Sequence, residues 1–481
     1  MKSMRVAIAF NVKRGTGRRH VAAADTYHPG AVQSSSDQTL AHKELFTGAE
    51  TLAHKEALQQ SSASDRSLQW MCLQKMPQDP ATFLGCSSSD AVSVKSYCSA
   101  IRPRGPDCDF DAPLASSSEA AIAEYKEQRS RCLHQCFFST PDLNIVRVDE
   151  HGIAILSPLT IAGYRATPFL DDRSLVHNVR PCTYLLPAQQ LHELTLWGVN
   201  HDVQVGGTAV GERVHFIFHI GHTASTLLSR VIDEVGDILV LREPVLVSWV
   251  NQMHHNATSK EFLNVWDTLL LPWLSRRHKK SQAVVVKMKS TNLRFMQAAL
   301  HRKSSTGAVF MYSGLRTHLT VCLARQHERF PDHLYQALVV EKDIFEKYSI
   351  SSSFFEEASI VKRMVLAWFK RLAFAWRFPK DRVLRLRMDD FLEKPARHLE
   401  AILLFLGLYP KGLNADAIEK GKVFQQYSKD TSVQWNRSIQ EFMMQSRYEA
   451  YRDDVEEGIQ FAREILEKHK RLRKFQDLID A

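Results

Sequence analysis

The chain has 481 residues, of which 44% are hydrophobic, and its formal net charge is +9 at pH 7. This length accommodates one large α/β domain with appendages. A positive balance is compatible with an anionic ligand. The sequence contains neither a zinc-finger spacing nor an RNA-binding signature, so we predict no nucleic-acid partner. No apolar run approaches the ~18 residues of a membrane-spanning helix, so we expect no transmembrane segment.

The first part of the chain has little structural pattern. Six Lys and Arg residues precede the first acid, Asp25, which is the charge pattern of an organellar transit peptide and equally of a disordered basic tail. Residues 31–115 are rich in Ser, Gln and Ala without periodicity. We therefore predict that residues 1–115 are mostly disordered. We expect a cytoplasmic protein, or an organellar one if the basic segment is a removable targeting signal.

A smaller accessory region is predicted next. A capping-box pattern opens a predicted helix over 116–136. The segment 143–156 has the pattern of a hairpin, and 187–197 that of a short amphipathic helix. These elements predict an accessory region over 116–211, followed by the main α/β domain over 212–481.

Cysteines and histidines give no metal-binding spacing. Cys132 and Cys136 flank His134, but no second pair completes a four-ligand site. We therefore predict no metal centre.

The segment 214–244 is the most informative part of the sequence. Val214 to Ile220 is an apolar run of strand length, followed by a short loop of small and polar residues. Thr226 to Glu234 then has helical periodicity, and Ile238 to Leu241 is a second short strand. Strand, loop, helix and strand together predict one βαβ unit.

The loop of this unit has the chemistry of an anion site. A helix N-terminus presents free N–H groups and the positive end of the helix dipole. Ser225 and Thr226 add hydroxyl groups at that place. The loop is not a Walker A motif, because Ala224 and Ser225 occupy the positions of its last Gly and its Lys. We predict that the loop binds a phosphate or sulfate group.

Further apolar strands alternate with helices downstream. Continuous apolar strands separated by helices predict a parallel sheet that is covered on both faces. The predicted strands are 283–288, 307–312 and 382–386, and the predicted helices are 258–274, 291–300, 315–325, 354–378 and 396–406.

Two motifs resemble sulfotransferases that use 3′-phosphoadenylyl sulfate. The loop reads Gly221-His222-Thr223-Ala224-Ser225-Thr226-Leu227-Leu228, where that family typically reads Gly-Arg-Thr-Gly-Ser-Thr-Leu-Leu. Residues 382–408 resemble the family's strand, acidic pair, proline and helix ending in Phe-Leu-Gly-Leu. The resemblance covers roughly residues 213–430. It implies an α/β fold with a parallel sheet flanked by helices, the P-loop NTPase-like sulfotransferase fold.

The resemblance also implies an activity. A metal-independent enzyme of this kind moves a sulfuryl group from 3′-phosphoadenylyl sulfate to a hydroxyl or amine of a small-molecule acceptor. The phosphosulfate would lie on the loop, whose predicted binding residues are Gly221, His222, Thr223, Ala224, Ser225 and Thr226.

Three residues are predicted to act in catalysis. Glu243 follows the second strand, at the sheet edge where ligands bind in such folds, and is the predicted general base. Lys287 ends a later strand and is predicted to steady the sulfuryl group or the bridging oxygen. His222, when protonated, would replace the family's Lys or Arg. The alternatives are a structural ion pair, a lysine that extends to solvent and an exposed loop histidine.

The site for the 3′-phosphate departs most from the family pattern. Ser313 stands where the family usually has Arg, Arg316 follows three residues later, and Thr320 occupies roughly the family's Ser position. These departures leave two alternative functions, a P-loop kinase and a non-catalytic relative that uses the same scaffold for binding. The missing Walker Lys argues against the kinase.

Overall fold

The computed structural model describes residues 143–148, 153–159, 161–170, 184–187, 213–253, 259–277, 282–301, 307–324 and 358–480. The predicted disorder before residue 116 and the predicted helix over 116–136 lie outside these residues. So does the predicted helix over 187–197, except for Pro187, which ends a strand. The predicted division at residues 115 and 211 therefore stays a prediction.

A small antiparallel sheet precedes the main one. Strands β1 (Leu143–Val148), β2 (Ile153–Pro158) and β3 (Tyr184–Pro187) pair in that order. Helix α1 (Ile161–Ala166) follows β2. The hairpin predicted over 143–156 is confirmed, with Leu143 opposite Pro158.

Among the described residues, five parallel strands form the main sheet. They are β4 (Val214–His219), β5 (Ile238–Arg242), β6 (Ala283–Lys287), β7 (Ala308–Tyr312) and β8 (Val383–Arg387). Their spatial order is β5-β6-β4-β7-β8. Strands β4, β5 and β6 are buried throughout, which explains their continuous apolar sequences. The predicted parallel sheet is confirmed, and β4 lies at its centre.

Helices cover both faces of this sheet. One face packs against α2 (Ser225–Asp233) and α10 (Pro395–Phe405). The other face is covered mainly by four further helices and the helical turns between them. Those helices are α3 (Val245–Met253), α4 (Ser259–Val265), α6 (Phe295–His301) and α8 (Ile360–Ala375).

Several further helices and helical turns lie between β5 and α10 in the chain. A π-helical turn (Trp266–Leu270) joins α4 to α5 (Leu271–Leu274), and a 3-10 turn (Ser290–Asn292) follows β6. Helix α7 (Leu315–Ala324) follows β7, and α9 (Met388–Glu393) follows β8. The helix predicted over 258–274 is thus interrupted by a π turn, and the helix predicted over 291–300 begins later, at Phe295.

Helix α8 begins later than its hydrophobic period predicts. The predicted helix spans 354–378, whereas the described helix starts at Ile360. Ser359 is its N-cap, because its side chain accepts a hydrogen bond from the Lys362 N–H. None of the helices in the described parts of the chain is both long and apolar enough to span a bilayer.

The C-terminal part of the chain adds elements that the sequence analysis did not predict. Helix α14 (Arg452–Lys468) packs closely against α7 and α8 at Gly458. A Cβ atom there would lie 2.6 Å from Leu319 Cδ1 and 2.8 Å from Val361 Cγ1, so glycine permits the close approach. The elements are α11 (Ala415–Glu419), α12 (Lys422–Gln425), β9 (Gln426–Tyr427), β10 (Asp430–Gln434), α13 (Arg437–Ala450), α14 (Arg452–Lys468) and a 3-10 helix (Lys470–Leu478).

Candidate active site at the carboxyl edge of the sheet

The loop after β4 has an unusual backbone. Gly221, His222 and Ala224 all have positive φ angles, of 97°, 52° and 54°. Non-glycine residues in this region are strained, and such residues cluster at active sites and ligand-binding loops. Ala224 is the position at which the resembled family has glycine, and its left-handed φ gives the reason for that glycine.

Helix α2 begins directly after this loop, without a side-chain cap. Its N-cap residue is Ala224, and its first turn contains no acidic residue. The N–H groups of that first turn therefore donate no hydrogen bond to a capping side chain. Ser225 and Thr226, in the same turn, are buried. The predicted anion loop is thus the N-terminus of a nine-residue helix at the end of the central strand.

Two buried hydroxyl groups beside the loop lack a hydrogen-bond partner. They are Oγ1 of Thr223 and Oγ of Ser313. Ser313 directly follows β7, the strand that pairs with β4, so it lies at the same carboxyl edge of the sheet as the loop. A buried hydroxyl without a partner is unfavourable by about 1–3 kcal/mol. A ligand with acceptor oxygens at this loop would remove that penalty.

Glu243 and Lys287 form an ion pair at the carboxyl ends of β5 and β6. Their side chains are only 10% and 1% exposed. Glu243 has a φ of 55°, and its N–H donates to the Lys287 carbonyl oxygen at 2.7 Å. Lys287 Nζ also lies 5.4 Å from the centroid of the Phe169 ring. The structure thus brings these two predicted catalytic residues together, and Lys287 does not extend into solvent.

Arg242, the neighbour of Glu243, makes a separate and fully buried network. Its guanidinium pairs with Asp233 and donates to the carbonyl oxygens of Tyr164 and Thr167 at 2.7 and 3.0 Å, and to Ser229 Oγ at 3.2 Å. Burial raises the pKa of Asp233, and Arg242 opposes that rise. Arg242 and Glu243 therefore both form ion pairs, which is the alternative considered for this segment.

The region before the main domain contributes to this edge. The Leu170 N–H donates to the Arg242 carbonyl at 2.7 Å, and the Val245 N–H donates to the Leu170 carbonyl at 3.3 Å. Residues 169–170 therefore lie along the chain that leaves β5, beside the Glu243–Lys287 pair. An acceptor that approaches this pair would meet residues from this region.

Of the three residues predicted for the 3′-phosphate, Arg316 and Thr320 lie on α7 and Ser313 precedes it. Arg316 forms an ion pair with Glu456 and donates to Tyr448 Oη at 3.1 Å, so it is engaged with α13 and α14. The hydrogen bond from Arg316 lowers the pKa of Glu456. Thr320 Oγ1 donates to the Arg316 carbonyl at 2.9 Å, within α7. The role of all three residues stays a prediction.

Two residues at the loop were missed by the sequence analysis. His219 Nδ1 accepts the Gly221 N–H at 3.0 Å, and Arg371 Nη1 donates to the Ile220 carbonyl at 2.6 Å. A polar residue at the end of an apolar strand was the available signal for His219. Arg371 is one of several basic residues on α8, so the sequence alone did not distinguish it.

Comparisons with known proteins give likenesses of fold only. No protein-family model matches the chain, and no curated protein matches its sequence. A sulfotransferase from Alicyclobacillus acidocaldarius is 12% identical, over 53% of this chain and 92% of its own, with a TM-score of 0.29. The sulfotransferase domain from the curacin biosynthetic pathway is 11% identical over 46% and 82%, with a TM-score of 0.28. The sulfotransferase domain from the Synechococcus PCC 7002 olefin synthase is 14% identical over 47% and 82%, with a TM-score of 0.25. TM-scores below 0.5 carry no argument about the activity of this chain.

Proposed function

We propose that the protein is a sulfotransferase that moves a sulfuryl group from 3′-phosphoadenylyl sulfate to a hydroxyl or amine of a small-molecule acceptor. One observation carries the proposal. The uncapped N-terminus of α2 and its left-handed loop lie at the end of the central strand, with the buried hydroxyls of Thr223, Ser225 and Thr226. Such a place suits an anion. The sequence resemblance of the loop and of residues 382–408 supports the choice of a sulfuryl donor.

The proposed reaction is a single displacement at sulfur. The acceptor oxygen or nitrogen forms a bond to sulfur, and the bond from sulfur to the bridging phosphate oxygen breaks. The electron pair of that bond goes to the departing 3′,5′-bisphosphate. Donors fixed at the loop would stabilise the charge that develops there, and one well-placed donor is worth about 3–4 kcal/mol.

Glu243 and Lys287 would act on different groups in this displacement, Glu243 on the acceptor and Lys287 on the bridging oxygen or the sulfuryl group. Glu243 would take the proton of the acceptor as the new bond forms. Lys287 would donate to the bridging oxygen or the sulfuryl group. While the two side chains are paired, the lysine charge favours the ionised carboxylate. When Lys287 turns toward the leaving oxygen, that attraction weakens and Glu243 becomes a stronger base.

The loop supplies the remaining contacts in this proposal. The N–H groups at the start of α2, with the hydroxyls of Ser225 and Thr226, would bind the 5′-phosphosulfate. His222 would add a positive charge when protonated. Ser313 would bind the nucleotide from the end of the neighbouring strand, because its hydroxyl is buried and lacks a partner.

Calorimetry and a transfer assay test the proposal directly. We expect the purified protein to bind adenosine 3′,5′-bisphosphate more tightly than 5′-AMP or ATP, and to sulfonate acceptors with 3′-phosphoadenylyl sulfate. Combined Ser225→Ala and Thr226→Ala substitutions should abolish transfer. Ser446→Ala, on the exposed surface of α13, is the control and should have no effect. A folded wild-type protein that does not bind the bisphosphate would refute the proposal.

A non-catalytic relative that uses the same scaffold for binding is the second candidate. The observation that favours it is the engagement of Arg316 with Glu456, together with Ser313 at the family's Arg position. A folded protein with no affinity for the bisphosphate would support this candidate. Magnesium-dependent consumption of ATP would instead support a kinase.

A further inference from the structure

The peptide unit between Ile220 and Gly221 is bound on both sides. Its carbonyl oxygen accepts from Arg371 Nη1 at 2.6 Å, and its N–H donates to His219 Nδ1 at 3.0 Å. The C=O and N–H of a trans peptide point in opposite directions. This peptide plane therefore cannot rotate without breaking at least one of the two hydrogen bonds.

The histidine in this arrangement has a defined tautomer. Since Nδ1 accepts the Gly221 N–H, the imidazole hydrogen must be on Nε2, which then donates to the Met288 carbonyl at 2.9 Å. Burial, with a contribution from Lys287, lowers the pKa of His219 to about 3. The imidazole is therefore neutral at physiological pH, and its two hydrogen bonds have fixed directions.

These bonds form a continuous connection across the start of the loop. It runs from the residue after β6, through His219 and the peptide unit, to α8. Gly221 is the first left-handed residue of the loop, with a φ of 97°. A Cβ at Gly221 would meet only Ser290, at 3.6 Å, so the positive φ and not crowding requires glycine. The orientation of this peptide sets the direction in which the following loop residues leave the strand.

We infer that His219 and Arg371 are positioning residues for the anion loop, and we call them, with the Ile220–Gly221 peptide, the peptide clamp. The inference rests on the proposed function for the identity of the anion, a phosphosulfate nucleotide. The clamp fixes the first turn of the loop before the ligand arrives. Arg371 also brings a permanent positive charge to a loop that has His222 where a Lys or Arg is usual.

His215 provides an internal control for this inference. It lies in the same strand, is buried, and accepts the Gly307 N–H at 3.3 Å through Nδ1. Burial lowers its pKa to about 4. It thus shares the chemistry of His219 but lies four residues before it, away from the loop. A substitution at His215 should affect stability without affecting the ligand.

Paired substitutions at His219 separate its two hydrogen bonds. Asn carries an acceptor near the position of Nδ1, and Gln carries a donor near the position of Nε2. We expect His219→Asn to bind adenosine 3′,5′-bisphosphate within about threefold of wild type. We expect His219→Gln to bind it about tenfold more weakly, because the hydrogen bond that holds the Gly221 N–H is lost. His215→Asn should bind like wild type.

Arg371 is tested in the same way. Arg371→Met removes both the charge and the donor, and we expect a loss of about tenfold or more in bisphosphate affinity. Arg371→Lys keeps the charge and one donor, and should recover most of that loss. The steady-state KM for 3′-phosphoadenylyl sulfate should rise in His219→Gln and Arg371→Met more than the kcat falls.

Hydrogen exchange of the Gly221 amide, followed by NMR on glycine-labelled protein without ligand, tests the clamp independently. We expect the amide to be protected in wild type and His219→Asn and to exchange faster in His219→Gln. Equal exchange and equal affinity in the Asn and Gln variants would overturn the inference. If wild type binds no nucleotide, the proposed function fails, and equal Gly221 exchange in the two variants would show that the clamp fails as well.

Discussion

Two ion pairs formed by adjacent residues show how differently the same chemistry is used in this molecule. Arg242 pairs with Asp233, the last residue of α2, and Glu243 pairs with Lys287 at the carboxyl edge of the sheet. The guanidinium of Arg242 has further hydrogen bonds to Tyr164, Thr167 and Ser229. A buried charge whose hydrogen bonds are satisfied in this way joins elements together.

The second pair differs from the first in backbone and in place. Glu243 has a left-handed φ, which is unfavourable by about 1–2 kcal/mol for a residue with a Cβ. Non-glycine residues in this conformation cluster at functional sites. The pair lies at the carboxyl edge of the sheet, where ligands bind in open α/β folds. The two ion pairs therefore differ in backbone conformation and in position. The left-handed backbone of Glu243, at the carboxyl edge of the sheet, marks its pair with Lys287 as the candidate catalytic one.

The largest expected effect concerns the buried pair. Arg242→Met leaves Asp233 without its partner, and we expect the free energy of unfolding to fall by about 3–5 kcal/mol, measured by urea denaturation. The double variant with Asp233→Leu should recover most of that loss, because it removes the uncompensated charge. A single variant as stable as wild type would end the distinction between the pairs.

Glu243→Gln is expected to act on catalysis instead. The loss of a general base should lower kcat by about 10²–10⁴-fold in the sulfonation assay. Gln keeps a hydrogen-bond acceptor for Lys287 but removes its charge partner, so denaturation should show a loss of stability that is smaller than that of Arg242→Met. Glu234→Gln, at the exposed end of α2, is the control and should retain full activity. If Glu243→Gln also retained full activity, Glu243 would not be the base.

Three buried histidines, unlike the two ion pairs, are kept uncharged by the fold. Burial lowers the pKa of His219 and His318 to about 3 and that of His215 to about 4, from an unperturbed 6.5. Between each lowered pKa and 6.5, the histidine is protonated in the unfolded chain and neutral in the folded protein. Stability should therefore fall as pH decreases from about 6.5 toward 4, by about 1.4 kcal/mol per pH unit for each histidine.

Denaturant unfolding at several pH values measures this slope. His318→Leu should reduce the slope by about 1.4 kcal/mol per pH unit, because leucine does not titrate. An unchanged slope in that variant would mean that His318 is not kept neutral in the fold.

The smallest effect is expected at Ala224. Its φ of 54° is left-handed, so Ala224→Gly should raise the free energy of unfolding by about 0.5–1 kcal/mol. Ala401→Gly, on the exposed side of α10, is the matched control and should lower it by about 1 kcal/mol. Equal losses in the two variants would contradict the strain assigned to the loop.

The sequence predicted the βαβ unit around the loop because that unit is local. The apolar run of β4, the small residues after it and the amphipathic pattern of α2 are all contiguous. Helix α13 has no buried residue, so no apolar face marked it in the sequence, whereas the buried residues of α14 recur at helical spacing and were missed. The partner of Arg316 could not be predicted, because Glu456 lies 140 residues further along the chain.

The sequence by itself determined the class of fold and the position of the loop between β4 and α2. Hydrophobic period and turn residues act over a few positions, and burial on both faces makes parallel strands continuously apolar. Only the tertiary structure decided the spatial order of the strands, the pairing of Glu243 with Lys287 and the clamp formed by His219 and Arg371. These depend on which distant segments pack together, and packing energy is summed over contacts that no local pattern encodes.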